Sequence, residues 1–399
     1  MHCRPPHLFL SKTLASLHML LIALSFSLFA CATNPDNEQP RPDHHKDGGF
    51  RNNYSFIDPS LLDFLEWRRQ RLVHMDRSEP EDLPDPVTDP AVDYLASNHS
   101  EVSLTFIGHA SVLLQMNGLN ILADPVFSDR ASPLGFAGPK RHQPPGLTTQ
   151  QLPHIHAVVV SHSHYDHLDR PSIRQLCEQP GGPPVLMMPL KLDDWVRQAV
   201  PECDEARVEG LDWWQEALLG EVRFILTPVQ HWSQRTPFDR NQTLWGGWAL
   251  VSDDFRFWFS GDLGYSQDIP DIGERLGPFD LAAIAIGDYQ PRWFMSPQHI
   301  DPHEAVITQQ EIRADRAVGI HWGTFRLADE PLDQPPKDLA KAREKHGVPD
   351  HHFITMVFGE TRRWDGSDLV PLSPSSDTEK SDPVTGIQPI SGSVITVDD

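Results

Sequence analysis

Ala157-Val-Val-Val-Ser161-His-Ser-His-Tyr-Asp-His-Leu168 decides how the rest of this chain is read. The four apolar residues read as a short buried strand. Three imidazoles and a carboxylate follow, His162, His164, Asp166 and His167. At the C-terminal end of a strand, one loop can turn several donors toward a single point. Imidazole nitrogen and carboxylate oxygen are the donors that zinc and related cations take. A His-rich surface loop is the plainer alternative, but further donors stand at the ends of other apolar runs. His231 follows Val222-Arg-Phe-Ile-Leu-Thr-Pro-Val229, Asp262 follows Phe255-Arg-Phe-Trp-Phe-Ser260, and His321 follows Ala317-Val-Gly-Ile320. One strand end carrying a ligand type is weak evidence; four in succession are strong.

The run His162-x-His164-x-Asp166-His167 is the H-x-H-x-D-H pattern of the metallo-β-lactamase superfamily, and the later donors match that family's order. Within it the chain resembles the branch of the N-acylphosphatidylethanolamine-hydrolysing phospholipases D. The resembling segments are Thr105-Phe-Ile-Gly-His-Ala-Ser111, Asp124-Pro-Val-Phe127, Gln230-His-Trp232, Gly261-Asp-Leu-Gly-Tyr265, Pro291-Arg-Trp-Phe-Met-Ser-Pro-Gln-His-Ile-Asp-Pro302 and His321-Trp-Gly-Thr-Phe325. The resemblance implies the α/β class, a four-layer αββα sandwich, here with an N-terminal helical extension. It implies two Zn2+ ions, with Mn2+ or Fe2+ as alternatives. One would be held by His162, His164 and His231, the other by Asp166, His167 and His321, with Asp262 between them. Asp166 and Asp262 would then set two negative charges against two dications and leave a positive centre for a phosphodiester oxygen. A hydroxide shared by the metals would attack, so no serine or cysteine nucleophile is needed. The implied reaction is cleavage of N-acylphosphatidylethanolamine to N-acylethanolamine and phosphatidic acid. Hydrolysis of another ester, a lactone or a small phosphodiester stays open, since one scaffold hosts many chemistries. A metal-stabilised surface lipoprotein that binds a partner is the non-enzymatic alternative.

Other residues take candidate roles beside the ligands. His299 is read as a proton donor or as support for the ligands, or else as a cap on the helix near Pro302. Gln298 would orient His299 or touch substrate. Tyr165 and Trp293 are candidate substrate contacts, Tyr165 with packing against its loop as the alternative. Asp124 would orient a ligand histidine, and His109 would support the same surface. Trp232, Tyr289, Trp293, Phe294, Trp322 and Phe325 line an acyl channel or pack in the core. Trp245, Trp248 and Trp258, inside strand patterns, read as core.

The formal net charge is −23, from 56 acidic against 33 basic residues. A nucleic-acid groove wants a basic surface, so no nucleic-acid partner is expected. Arg4 and Lys12 precede an apolar run over 14–30 that ends in Ala30-Cys31, the layout of a secretory signal. Read as a lipoprotein signal, it makes Cys31 a lipidated membrane anchor facing the periplasm in a bacterial cell envelope. A plainly cleaved signal and an uncleaved anchor helix are the alternatives. Cys177 and Cys203 pair in an oxidising compartment or remain thiols. The resemblance alone suggests a homodimer.

The organisation expected is a signal peptide over 1–30, a flexible tether over 31–53, a helical and extended wrap over 54–100, a metallo-hydrolase domain over 101–366, and a disordered tail over 367–399. The pair His44-His45 reads as solvated tether. A helix is expected over 56–75, starting at Asp58-Pro59. Strands are expected at 102–107, 112–116, 120–123, 157–160, 184–188, 222–227, 247–252, 255–260, 281–286, 317–320 and 355–358. Asn117-Gly118 should close a hairpin between 112–116 and 120–123. Helices are expected at 170–177, 191–200, 302–312 and 336–345.

Overall fold

The computed structural model describes residues 42–54, 58–74, 83–87 and 89–372. The signal segment with Cys31 and most of the expected tail lie outside these residues. Two units are distinguished, Met1–His45 and Lys46–Asp399. The architecture is that of the second. In the first, His44 is buried rather than solvated.

Two sheets carry the fold. In the first, β1 (Ser103–Gly108), β2 (Ser111–Met116) and β3 (Leu119–Ala123) form an antiparallel meander. Asn117 and Gly118 close its second hairpin, both with positive φ (48° and 72°), as a tight primed turn requires. Then β4 (Ala157–Val159), β5 (Val185–Pro189) and β6 (Val208–Leu211) add in parallel. The second sheet repeats this plan. The strands β7 (Glu216–Leu219), β8 (Val222–Thr227), β9 (Gly247–Val251) and β10 (Arg256–Phe259) run antiparallel. Parallel β11 (Phe279–Ala285), β12 (Ala314–Ile320) and β13 (Phe353–Ile354) follow. The chain returns to the first sheet with β14 (Thr361–Trp364), antiparallel to β1, and β15 (Leu369–Pro371). Seven neighbouring strands of one sheet, β14 to β6, therefore share the pairing sequence of the other, β7 to β13.

Both sheets are sandwiched, which explains strands that are apolar on both faces. Leu104, Phe106, Val112 and Leu114 face the core shared with Phe224, Trp248, Trp258 and Phe259. Leu113, Leu122 and Val158, on the opposite face of the same sheet, pack outward onto Ile173, Leu176, Leu192 and Val196. The α-helices among the described residues, in chain order, are α1 (Leu61–His74), α2 (Val92–Ser97), α3 (Arg170–Cys177), α4 (Leu192–Ala199), α5 (Asp268–Arg275), α6 (Arg292–Met295), α7 (Pro302–Glu311) and α8 (Gln334–His346). Ile269 and Ile272 of α5, Val306 of α7 and Leu339 of α8 are buried in the main core with the second sheet. The result is the expected helix–sheet–sheet–helix sandwich of the α/β class.

Several expectations are corrected. The tether ends before residue 53. Phe50 N–H bonds the Asn241 carbonyl at 2.8 Å, and the Asn53 amide reaches Asp268 at 2.8 Å. Helix α1 starts at Leu61, not at 58, because the Ser60 hydroxyl accepts from Asp63 N–H while Asp63 accepts from Ser60 N–H, a reciprocal cap. The expected strand 355–358 is absent, and the pairing residues are Phe353 and Ile354. The expected tail begins inside the sheet, where Trp364 pairs with Leu369 and Asp368 bonds Arg316 at 3.0 Å. Cys177 and Cys203 form a disulfide between α3 and the turn after α4. No helix among the described residues is long and apolar enough to cross a membrane.

Candidate metal centre

Every candidate ligand sits just beyond the C-terminal end of a strand, where the ladder stops and the backbone is free to turn. His162 to His167 follow β4, His231 follows β8, Asp262 follows β10 and His321 follows β12. The turns are sharp. His321 (φ 63°), Asp124 (39°), His109 (54°) and Asp288 (61°) all lie in the left-handed region. Side chains rarely adopt it, and packing must hold them there.

The structure gathers the seven expected ligands into two adjoining groups. His162, His164, His231 and Asp262 form one; Asp166, His167 and His321, joined by His109, form the other. His162 Nε2 and His164 Nδ1 are 2.8 Å apart, and His321 Nε2 and His167 Nε2 are 3.1 Å apart. Asp262 stands between the groups. Its Oδ2 is 3.7 Å from His231 Nε2 and 3.2 Å from His167 Nε2, and its Oδ1 is 3.0 Å from His321 Nε2. Imidazole nitrogens this close and converging share either a proton or a cation. Donors about 2.0–2.1 Å from one tetrahedral zinc stand roughly 3.3 Å apart, so the set fits a pair of divalent cations.

A ring of further contacts aims the ligands. Asp124, fully buried, accepts from His167 Nδ1 at 2.7 Å and from Ser161 N–H at 2.7 Å, and the Ser161 hydroxyl donates to it. His231 Nδ1 lies 3.0 Å from the Gln298 carbonyl. His321 Nδ1 lies 3.5 Å from Asp288 Oδ2. Asn52 grips the His231 backbone from both sides, accepting from its N–H at 3.0 Å and donating to its carbonyl at 2.9 Å. Such partners fix which ring nitrogen faces the centre. Burial pushes His109 down to about 3, and His164 and His299 down to about 4, so these rings are neutral. Burial also opposes charge on His321, but Asp262, Asp166 and Asp288 outweigh it and lift that ring to about 9.

The centre forms the floor of a cavity of about 730 Å³. His164, Asp166, Asp262 and His299 face it from below, and Leu61, Phe64, Trp67, Phe294, Met295 and Leu327 supply apolar wall. Trp67 of α1 stacks on Phe294 of α6 with ring centres 5.0 Å apart. Arg240 and Asp58 bridge at 2.8 Å on the rim.

The other expected site residues divide. His299 lines the cavity, its Nδ1 3.9 Å from Asp262 and without a hydrogen-bond partner. It does not cap α7. Asp301 does, in a box with Glu304. Gln298 lines the cavity but steadies His231 through its carbonyl, not His299. Tyr165 presents its ring to the cavity while its hydroxyl is bonded to the Arg235 carbonyl at 3.0 Å. Trp293 is a correction. It is 47 % exposed and absent from the cavity wall, because successive residues of a short helix point apart and its neighbour Phe294 takes the inward place. Of the channel aromatics, Trp232 and Phe294 line the cavity, whereas Tyr289, Trp322 and Phe325 are buried and do not line it. Trp245, Trp248 and Trp258 are fully buried core. Asp288 and Asn52 were missed by sequence reasoning. Asp288 does follow an apolar run, which was the available signal; Asn52 carries none.

Comparison with known proteins agrees with this geometry. Residues 119–322 match the family described as the beta-lactamase superfamily domain. The N-acyl-phosphatidylethanolamine-hydrolyzing phospholipase D 1 of Caenorhabditis elegans is 41 % identical over 284 residues, covering 68 % of this chain and 78 % of that protein. An uncharacterized Mycobacterium bovis protein is 35 % identical over 323 residues, 78 % of this chain and 82 % of its own. Among solved structures, a possible metal-dependent hydrolase from Veillonella parvula superposes with a TM-score of 0.53 at 17 % identity, over 66 % of this chain and 99 % of that one. The chain is thus a metal-dependent hydrolase of the metallo-β-lactamase superfamily and belongs to the branch of the N-acylphosphatidylethanolamine-hydrolysing phospholipases D.

Proposed function

We propose that the protein is a phospholipase D-type phosphodiesterase that cleaves N-acylphosphatidylethanolamine to N-acylethanolamine and phosphatidic acid. The observation that carries the reading is the join of a polar floor rich in ligand groups to an apolar wall in one cavity. A phosphodiester flanked by acyl chains needs both. His162, His164 and His231 would hold one divalent cation, zinc on this reading, and Asp166, His167 and His321 a second, with Asp262 offered to both groups. Two divalent cations, when bound, polarise a phosphoryl oxygen and make water a stronger nucleophile at neutral pH. His299, a neutral ring that lines the cavity with an unpartnered Nδ1, accepts a hydrogen bond from the water that protonates the departing alkoxide. Gln298 contacts the headgroup, and the ring of Tyr165 packs beside it. Phe64, Trp67 and Phe294 exclude water and receive acyl chain. Leu61, Leu62 and Leu65 stand exposed on α1 and suit delivery of substrate from a lipid surface.

The reading includes location. Anchorage through Cys31 on the periplasmic side would hold the enzyme beside its substrate. The Cys177–Cys203 disulfide supports an oxidising compartment.

The test is turnover of N-acylphosphatidylethanolamine and of bis-(p-nitrophenyl) phosphate by the purified zinc-loaded protein, with products followed by mass spectrometry. Release of N-acylethanolamine, abolished by chelator, is expected. Cleavage of the small diester alone moves the substrate elsewhere. No cleavage of either with two metals bound refutes the phosphodiesterase reading and favours an ester or lactone.

A further inference from the structure

Arg235 lies four residues after His231, on a loop leaving the second sheet, yet its side chain reaches the ligand loop of the first. One guanidinium nitrogen, Nη1, donates to the Ser163 carbonyl at 2.7 Å and to the Leu168 carbonyl at 2.9 Å. These two carbonyls bracket His164, Tyr165, Asp166 and His167. The guanidinium carbon lies 4.0 Å from the centre of the Tyr165 ring and 4.4 Å from that of Trp195 on α4. Tyr165 closes the arrangement by donating its hydroxyl to the Arg235 carbonyl at 3.0 Å. The base of the arginine is itself fixed, since Asp239 accepts from the N–H groups of Arg235 at 3.0 Å and Thr236 at 2.8 Å.

We propose that Arg235 is a positioning residue: it clamps both ends of the 163–168 loop, and so holds His164, Asp166 and His167 in ligating shape in fixed relation to His231. The inference rests on the reading that these side chains hold metal. The chemistry asks for arginine. The two hydrogens of one planar nitrogen diverge toward two acceptors, while the flat faces stack on two rings. A lysine ammonium can donate to the carbonyls but offers no face to Tyr165 and Trp195.

The experiment is chelator competition for zinc and for cobalt, with the cobalt absorption spectrum recorded, on the full chain, Arg235→Lys and Arg235→Met, alongside melting of each metal-free protein. Metal affinity is expected to fall roughly 10–100-fold in Arg235→Met, the usual size for loss of a ligand-orienting partner, and less in Arg235→Lys, with an altered cobalt spectrum. A role in folding alone would lower the metal-free melting temperature and leave the affinity of the folded protein unchanged, and that result overturns the clamp. Should Arg235→Met not fold, Arg235→Lys and Trp195→Leu, which strips one stacking face from outside the ligand loop, carry the test. Severalfold weaker binding in both supports the clamp, and unchanged binding in both refutes it. If the unmodified protein takes up no metal, the metal centre itself fails; if it takes up two and the variants match it, only the clamp fails.

Discussion

His299 shows what one residue in this site can and cannot be. Its ring is partly buried, lines the cavity, and approaches Asp262 to 3.9 Å, close to the 3.7 Å of His231, through a nitrogen with no protein partner. The His162 and His164 nitrogens, by contrast, approach each other to 2.8 Å. His299 also converges with Asp262 and His321 as a third group of donors, and its place on the cavity wall favours a role toward substrate. His299→Ala is expected to keep both metals and lower kcat about 100-fold or more, the range for a group positioned for proton transfer. Metal analysis with steady-state kinetics checks this; loss of one metal equivalent would make His299 a ligand instead. The ligands were legible because each is a metal-ligating residue type placed after an apolar run. Asn52, Arg235 and the Gln298 carbonyl were not. Their roles come from partners 67 to 179 residues away, and nothing local in the sequence marks them.

At the scale of elements, the turns between strand and ligand are as constrained as the ligands. Gly261 precedes Asp262 with φ 55°, and a Cβ there would stand 2.5 Å from the Ser161 Cβ, beside the other ligand loop. An L-residue in that conformation costs about 1–2 kcal/mol before any clash. Gly261→Ala is therefore expected to lower the melting temperature and to weaken metal binding by pushing apart the loops of Asp262 and His162. Unchanged metal affinity would show that the loops yield freely. Long apolar strands such as Val222–Thr227 were read to the residue, because burial on one or both faces leaves a dense pattern. The missed elements lack that density. In α5, Pro270 interrupts Asp268–Arg275, though proline is tolerated in a first turn. The edge strands Glu216–Leu219 and Leu369–Pro371 are short and partly exposed, so their residues resemble loop. Both form because a neighbouring strand completes their ladder, which a single-chain pattern does not display.

For the molecule as a whole, the two sheets repeat one pairing plan, and the centre lies where the strand ends of both meet. The repeat was invisible in the sequence because it is one of hydrogen-bond order and not of residue type. Asp124 and Asp262 occupy matching places after β3 and β10, yet the first orients His167 and the second joins both ligand groups. This convergence concentrates carboxylate charge inside the fold, and that charge needs a counterpart. In the protein without metal the counterpart is protons. Burial resists charge on His167 and His321, but Asp262 and Asp166 outweigh it, raising His167 well above its ordinary value and His321 to about 9. A histidine whose folded pKa exceeds its unfolded value of about 6.5 contributes stability that is complete below 6.5 and lost as pH rises through the folded value. His164 and His299, pushed by burial to about 4, act in the opposite sense: the folded state loses stability as pH falls from 6.5 toward 4. The metal-free protein should therefore be most stable near pH 6.5 and soften toward pH 9. Metal reverses the alkaline limb, because neutral imidazole is the ligating form and the cations then balance the carboxylates. The gap in melting temperature between zinc-loaded and chelator-treated protein should widen steadily from pH 6.5 to 9. A gap constant across that range would mean that metal does not neutralise this charge, and would count against the whole cluster as a metal centre.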